Sequence, residues 1–222
     1  MPGPDRRATG TKERTMNENA YRHAAYAIAR DSDAPAAVTA YAGAVAAAMH
    51  RAQLEGTTLA CQLITELSSD PVTHAAAVSI GPFGVLTLSD WLQEVWGDVT
   101  EIAALTEVPE LIESEVLYRR ATSELFAETD RGTGTATLAF AAALAVAHVR
   151  WLAAGIDGAT DPAATAVIGA VLAENPVAAV AREELDEATR ASLAMAVGNR
   201  WAQITERVQV MEAFSAIEAV TA

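Results

Sequence analysis

The sequence predicts an all-α protein: a single-domain bundle of about seven to nine helices, in which two long helices flank a central apolar one. Three observations carry this. Apolar side chains recur at steps of three and four along nearly the whole chain, no stretch alternates with period two beyond a few residues, and alanine dominates a composition that is 51% hydrophobic but only 5% aromatic. Alanine has the highest intrinsic helix propensity and lets backbones approach closely, so this composition suits tightly packed helices and disfavours sheet.

Residues 1–16 are expected to form a disordered leader, and 17–222 the bundle. The leader is polar, contains Pro and Gly, and lacks the apolar run of a secretory signal. Asn17 then offers a cap for a first helix to about Arg30, with Tyr21, Ala25 and Ile28 on one side. After Asp31-Ser32-Asp33, Pro35 opens a second helix whose apolar series Val38, Tyr41, Val45, Met49, Ala52, Gly56, Leu59, Leu63 and Leu67 predicts one long rod to Ser68. Asp70-Pro71 starts a short helix ending at Gly81-Pro82-Phe83-Gly84, and Thr87 with Asp90 forms a capping-box-like start for the next. That helix places Leu88, Trp91, Leu92, Val95, Val99 and Ile102 on its buried side. Pro109 opens a helix to Glu128, the Asp130–Gly134 segment is a loop, and Thr135–Ala154 is apolar nearly all round, as a central helix must be. Asp161-Pro162 and Asn175-Pro176 each start a short helix. A final rod is expected from Glu184 towards Ala219, with a seam of Leu193, Val197, Trp201, Ile204, Val208, Met211, Phe214 and Ile217. Ser69-Asp70-Pro71 and Thr160-Asp161-Pro162 each precede an Ala-rich helix, a faint sign of duplication. Aspartate before proline is a common helix start, so we read the match as coincidence.

Charge and cysteine content exclude several functions. The formal net charge is −14, and the basic residues form no stripe of the kind a phosphate backbone requires, so neither nucleic acid nor an anionic membrane is an expected partner. Cys61 is the only cysteine, which leaves no disulfide framework, and it reads as a small buried hydrophobe. A cytoplasmic protein fits, and the preference for Arg over Lys, with Lys12 the single lysine, points to a GC-rich bacterial source. The most apolar stretch, Ala136–Ala147, is read as too short to span a bilayer before His148 and Arg150 interrupt it.

No metal and no cofactor is expected. The residues three before His23, His50, His74 and His148 are Ala20, Ala47, Pro71 and Ala145, so the Glu-x-x-His pairs of di-iron bundles are missing. There is no zincin pair of histidines four apart and no Gly-x-Ser-x-Gly elbow. Gly132-Thr133-Gly134 lacks a phosphate-loop pattern and reads as an ordinary loop. The ridge Asp90, Glu94, Asp98, Glu101 and the cluster Glu183, Glu184, Asp186, Glu187 read as solvated faces.

Polar residues inside apolar helices are more informative. His148 and Arg150 sit on the central helix, where a charged group must be paired or hydrogen-bonded. Either His148 bonds a carboxylate while Arg150 reaches out to water, or both line a pocket with His148 as acid/base and Arg150 holding an anion. His74 is a second catalytic candidate. Trp91, Trp96, Trp151 and Trp201 would line such a pocket for a small apolar or anionic ligand. The helix after Pro109 carries two apolar stripes; the second, with Ile112, Glu115, Val116, Arg119 and Phe126, is expected to face another subunit. The leading functional expectation is a non-catalytic, homo-oligomeric interaction protein. A small-molecule-binding protein or cofactor-independent enzyme, and an acidic mimic that inhibits a basic partner, are the alternatives.

Overall fold

A computed structural model describes residues 6–108, 112–129, 133–156 and 162–221, with side chains described at 18–108, 112–129, 133–156 and 163–216. The described residues form eleven helices and no strand. They are α1 (Arg6–Asp31), α2 (Ala36–Glu55), α3 (Leu59–Ser69), α4 (Pro71–Glu94), α5 (Trp96–Leu105), α6 (Glu113–Thr129), α7 (Thr135–Ala154), α8 (Pro162–Glu174), α9 (Pro176–Glu184), α10 (Glu187–Asn199) and α11 (Trp201–Thr221). The helix α1 starts N-terminal to Asn17 rather than at it. Pro109 and residues 130–132 and 157–161, including the expected start at Asp161, lie outside the described residues.

The all-α expectation holds, but the number of helices is higher than expected, because the two long rods are broken. Gly56 adopts φ 65°, ψ 29° and ends α2, and Thr58 accepts from the Cys61 backbone N–H at 3.3 Å to cap α3. Left-handed backbone is unstrained only without a Cβ, so this glycine stops the helix rather than marking a crossing within it. The final rod is interrupted at Leu185–Asp186, where Asp186 caps α10 by accepting from Thr189 N–H at 2.7 Å, and again at Arg200. The expected pairing of two long flanking helices is therefore replaced. At the centre lie two apolar helices of equal length, α2 and α7, each of 20 residues. The expected break at Gly81-Pro82 is present: Gly81 (φ 70°, ψ 171°) is non-helical and kinks α4 into two helical segments, and Thr87 donates to the Phe83 carbonyl within the second of them instead of capping a new helix.

Packing repeats between the two halves of the chain. In the first half α2 packs on α1, α3 and α4, and α1 packs on α5; in the second, α7 packs on α6, α8, α9 and α10, and α6 packs on α11. Contacts between the halves are reciprocal: α2 meets α9 as α7 meets α4, α1 meets α9 as α6 meets α4, and α2 meets α7. This is the pattern a two-fold arrangement produces. The local sequence follows it. Gly56 and Gly155 end α2 and α7 with nearly the same left-handed geometry. Asp70-Pro71 and Asn175-Pro176 start α4 and α9, each with a side-chain cap. Val95 (φ −92°, ψ 12°) and Arg200 (φ −100°, ψ 7°) are the single-residue breaks before Trp96 and Trp201. Packing and local sequence repeat in this register, with Asp70-Pro71 matching Asn175-Pro176 rather than Asp161-Pro162.

The core is lined by small residues from α2 and α7, with Tyr41, Leu92, Leu138, Val99 and Ile204 as the large side chains sealed within it. Sealing each of Leu92, Leu138 and Ile204 stabilises the fold by roughly 1.5–3 kcal/mol. The Asp70 carboxylate accepts from Val72 N–H at 3.1 Å and from the Thr73 hydroxyl at 2.7 Å. Asp70→Ala is expected to lower the unfolding free energy by about 1 kcal/mol, read from urea denaturation midpoints.

Two of the described helices, Pro71–Glu94 and Thr135–Ala154, are long and apolar enough to cross a membrane, or up to three if the α8–α9 pair, bent by 112°, counts as one span. By length and composition α7 therefore reaches a span that the sequence reading denied it. Its most apolar window is 56% buried in the protein, whereas that of α4 is only 11% buried.

Candidate functional site

Arg150 is half-buried and fully engaged with two carboxylates. On α7, its Nε donates to Glu115 Oε1 at 2.8 Å and its Nη2 to Glu115 Oε2 at 3.2 Å, while Nη1 and Nη2 donate to the two oxygens of Glu174 at 3.0 and 2.7 Å. Hydrogen bonds from Glu115, then from Glu174, hold the guanidinium pKa above its ordinary value. Glu115, expected at a subunit interface, is 4% exposed and belongs to this clamp. The first half contains the same device. Arg51 on α2 donates to Glu18 Oε2 at 3.2 Å, to Gln62 Oε1 at 3.1 Å and to Glu66, which also accepts from Arg22. Glu66 is 2% exposed. Glu18-Asn19-Ala20-Tyr21-Arg22 and Glu115-Val116-Leu117-Tyr118-Arg119 share a Glu-x-x-Tyr-Arg pattern, so the first carboxylate of each clamp occupies the same place in α1 and α6.

The aromatic groups repeat as well. Tyr21 stacks on Trp96 with centroids 5.3 Å apart, and Tyr118 on Trp201 at 4.9 Å. In both halves a tyrosine from the first helix thus anchors the tryptophan that opens the last segment. The four expected pocket tryptophans do not converge on one cavity: Trp96 and Trp201 lie in opposite halves, and Trp151 donates its indole N–H to the Ala164 carbonyl at 3.2 Å. Trp91, on α4, is half-buried against the core. His148 lies against Trp201 (4.0 Å between centroids) and Trp151 (5.6 Å) instead of pairing with a carboxylate. Burial lowers its pKa, which keeps the imidazole neutral at neutral pH. Among the described residues its ring contacts are with these two indoles.

Other expectations move too. Phe126 is 6% exposed and carries the Arg200 guanidinium over its ring at 4.9 Å, while Ile112 is 58% and Val116 40% exposed and Arg119 is exposed. The expected interface stripe is thus divided between the core and the surface. Cys61 is exposed rather than buried. His74 is exposed on α4. Among the described residues no group of three or more His, Cys, Asp or Glu is arranged to hold a metal ion.

Two open grooves lie where the halves meet, and they occupy equivalent places. One, of about 710 Å³, is bordered by Leu67, Pro71, His74, Val78 and Ala127. The other, of about 450 Å³, is bordered by Leu172, Pro176, Ala179, Glu183 and Arg30, which stand at the corresponding positions of α8, α9 and α1. Neither is lined by His148, Arg150 or a tryptophan. The sequence reading missed both, because each is assembled from helix ends of opposite halves and becomes visible only once the repeat is aligned.

The clamps and stacks present in both halves are what the fold itself requires. The two halves differ on the outer face of α4. Phe83 is 84% exposed and Leu86 62%, with Val78 at 70% beside the first groove. The matching positions in α10 are Ala188 and Ala191, and the match of Val78 is Glu183. The chain matches no protein-family model, no curated protein and no solved structure. Its class is therefore defined by its own geometry, as a helical protein of two like units packed reciprocally, whose outer faces and grooves differ.

Proposed function

We propose that the chain is a non-catalytic interaction protein that associates with a second copy of itself through the outer face of α4. The observation that carries this is the exposure of Val78, Phe83 and Leu86 on either side of the kink in α4, where the other half of the chain has Glu183, Ala188 and Ala191. A fold that accepts glutamate and alanine in one half does not need large apolar side chains there in the other, and exposed apolar surface of this kind marks association sites. From Pro71 to Ser89 α4 contains no Asp, Glu, Lys or Arg. Two chains each carrying −14 repel least where an uncharged face meets an uncharged face, and a two-fold contact pairs this face with itself.

The test is mass by light scattering at micromolar concentration. The wild type is expected as a dimer whose dissociation constant tightens as salt is added, and Phe83→Glu with Leu86→Glu as a monomer with unchanged helical content. A wild type that stays monomeric up to tens of micromolar would overturn the proposal. So would flotation of the wild type with zwitterionic vesicles, abolished by the same two substitutions, since the apolar length of α4 would then serve a membrane surface.

A further inference from the structure

We infer that the groove bordered by Arg30, Arg182 and Arg190 binds a small amphiphilic anion, a carboxylate or phosphate head on an apolar stem. The three arginines reach it from α1, α9 and α10, around a floor that includes Leu172, Pro176 and Ala179. Their places in the equivalent half of the molecule are taken by Ala127, Ala77 and Val85. The architecture therefore forms this corner of the fold without any cation, and the arginines add something the fold does not require. In a protein of net charge −14, three of its 15 basic residues at one groove is a local reversal of sign.

Arg190 Nη1 donates to the Arg182 carbonyl at 2.8 Å, which fixes one guanidinium at the end of α9, within electrostatic reach of Asp186, where its further N–H groups can donate to a ligand oxygen. Glu183 borders the groove and Asp186 interacts with Arg190, so two of the three charges are offset and the site suits a head group of about one negative charge. The apolar floor distinguishes this from a site for a bare oxyanion, which would be held as well by exposed guanidinium groups alone. A volume of about 450 Å³ lies within the range of small-ligand sites.

Titration calorimetry on the full chain tests this with four probes: decanoate, decyl phosphate, inorganic phosphate and decanol, each below its aggregation threshold. Decanoate and decyl phosphate are expected to bind with one site per chain, at least tenfold more tightly than inorganic phosphate or decanol, and their ratio identifies the preferred head group. Arg182→Ala with Arg190→Val is expected to weaken decanoate and decyl phosphate binding at least tenfold while leaving the thermal midpoint in place. His74→Ala, in the equivalent groove, is expected to change neither. Equal binding of decanol and decanoate, binding of inorganic phosphate as tight as decyl phosphate, no binding of either amphiphile, or affinities unmoved by the arginine substitutions would each overturn the inference. None of these outcomes depends on self-association through α4.

Discussion

Arg150→Ala is expected to lower the unfolding free energy by about 3–5 kcal/mol, measured by urea denaturation followed by helical ellipticity. The substitution leaves the Glu115 carboxylate, 4% exposed, without its cation and without the two charge-assisted hydrogen bonds it accepts, and Glu174 loses two more. An uncompensated charge in that place must stay ionised at high cost or take up a proton. The effect comes from breaking the pair and not from any large net gain in having it. Arg150→Met combined with Glu115→Leu is therefore expected to recover most of the loss, since Glu174 is 29% exposed and can be solvated when released. The experiment also separates two roles for this residue. Were Arg150 a ligand-holding group in an open pocket, its removal would leave stability within about 0.5 kcal/mol.

Gly43→Ala is expected to cost about 2–3 kcal/mol, a large effect for one methyl group on a helix. A Cβ at Gly43 would stand 2.6 Å from Tyr26 Cζ and 2.9 Å from its hydroxyl oxygen, so α1 and α2 would have to separate or the ring would have to leave. In most helical positions the same change is stabilising by up to about 1 kcal/mol, so even the sign is diagnostic. The corresponding pair in the second half is Ala142 and Ser123. There a larger residue on the central helix faces a smaller one on its neighbour, the volume exchanged between partners. The matching double-mutant cycle is expected to show coupling: against a Tyr26→Ala background, Gly43→Ala should cost less than about 0.5 kcal/mol. Full additivity would mean that the two helices do not meet through this contact.

Much of this fold could be read from sequence, and what escaped did so for physical reasons. Helical class and the centrality of Thr135–Ala154 follow from periodicity and from the near absence of polar residues on that segment. The breaks at Val95 and Arg200 escaped because each is a single residue whose ψ shifts while φ stays in an ordinary range, with no glycine or proline to mark it. Gly56 was visible but ambiguous; Thr58, two residues later, was the cap signal that would have ended the helix there. Cys61 was assigned to the core because Leu59 and Leu63 flank it. Two positions along a helix are about 200° around it, so those leucines placed it on the opposite face. The repeat was sought at Asp-Pro dipeptides, which are poor markers. The Glu-x-x-Tyr-Arg pattern at 18–22 and 115–119 was the better one. With that alignment Arg51 stands as the twin of Arg150, which turns a candidate ligand-binding arginine into half of a repeated clamp. The grooves could not have been found from either half alone, since their walls come from both.

The central claim is that the exposed apolar side chains by which α4 differs from its twin serve binding and not the fold. Phe83→Ala with Leu86→Ala gives α4 the residues its twin already carries at Ala188 and Ala191. Urea unfolding of this variant at a concentration where the wild type is monomeric measures the claim directly. A free energy of unfolding within about 0.5 kcal/mol of the wild type is the expected result. A loss of several kcal/mol would show that Phe83 and Leu86 hold the subunit together, and would contradict this claim.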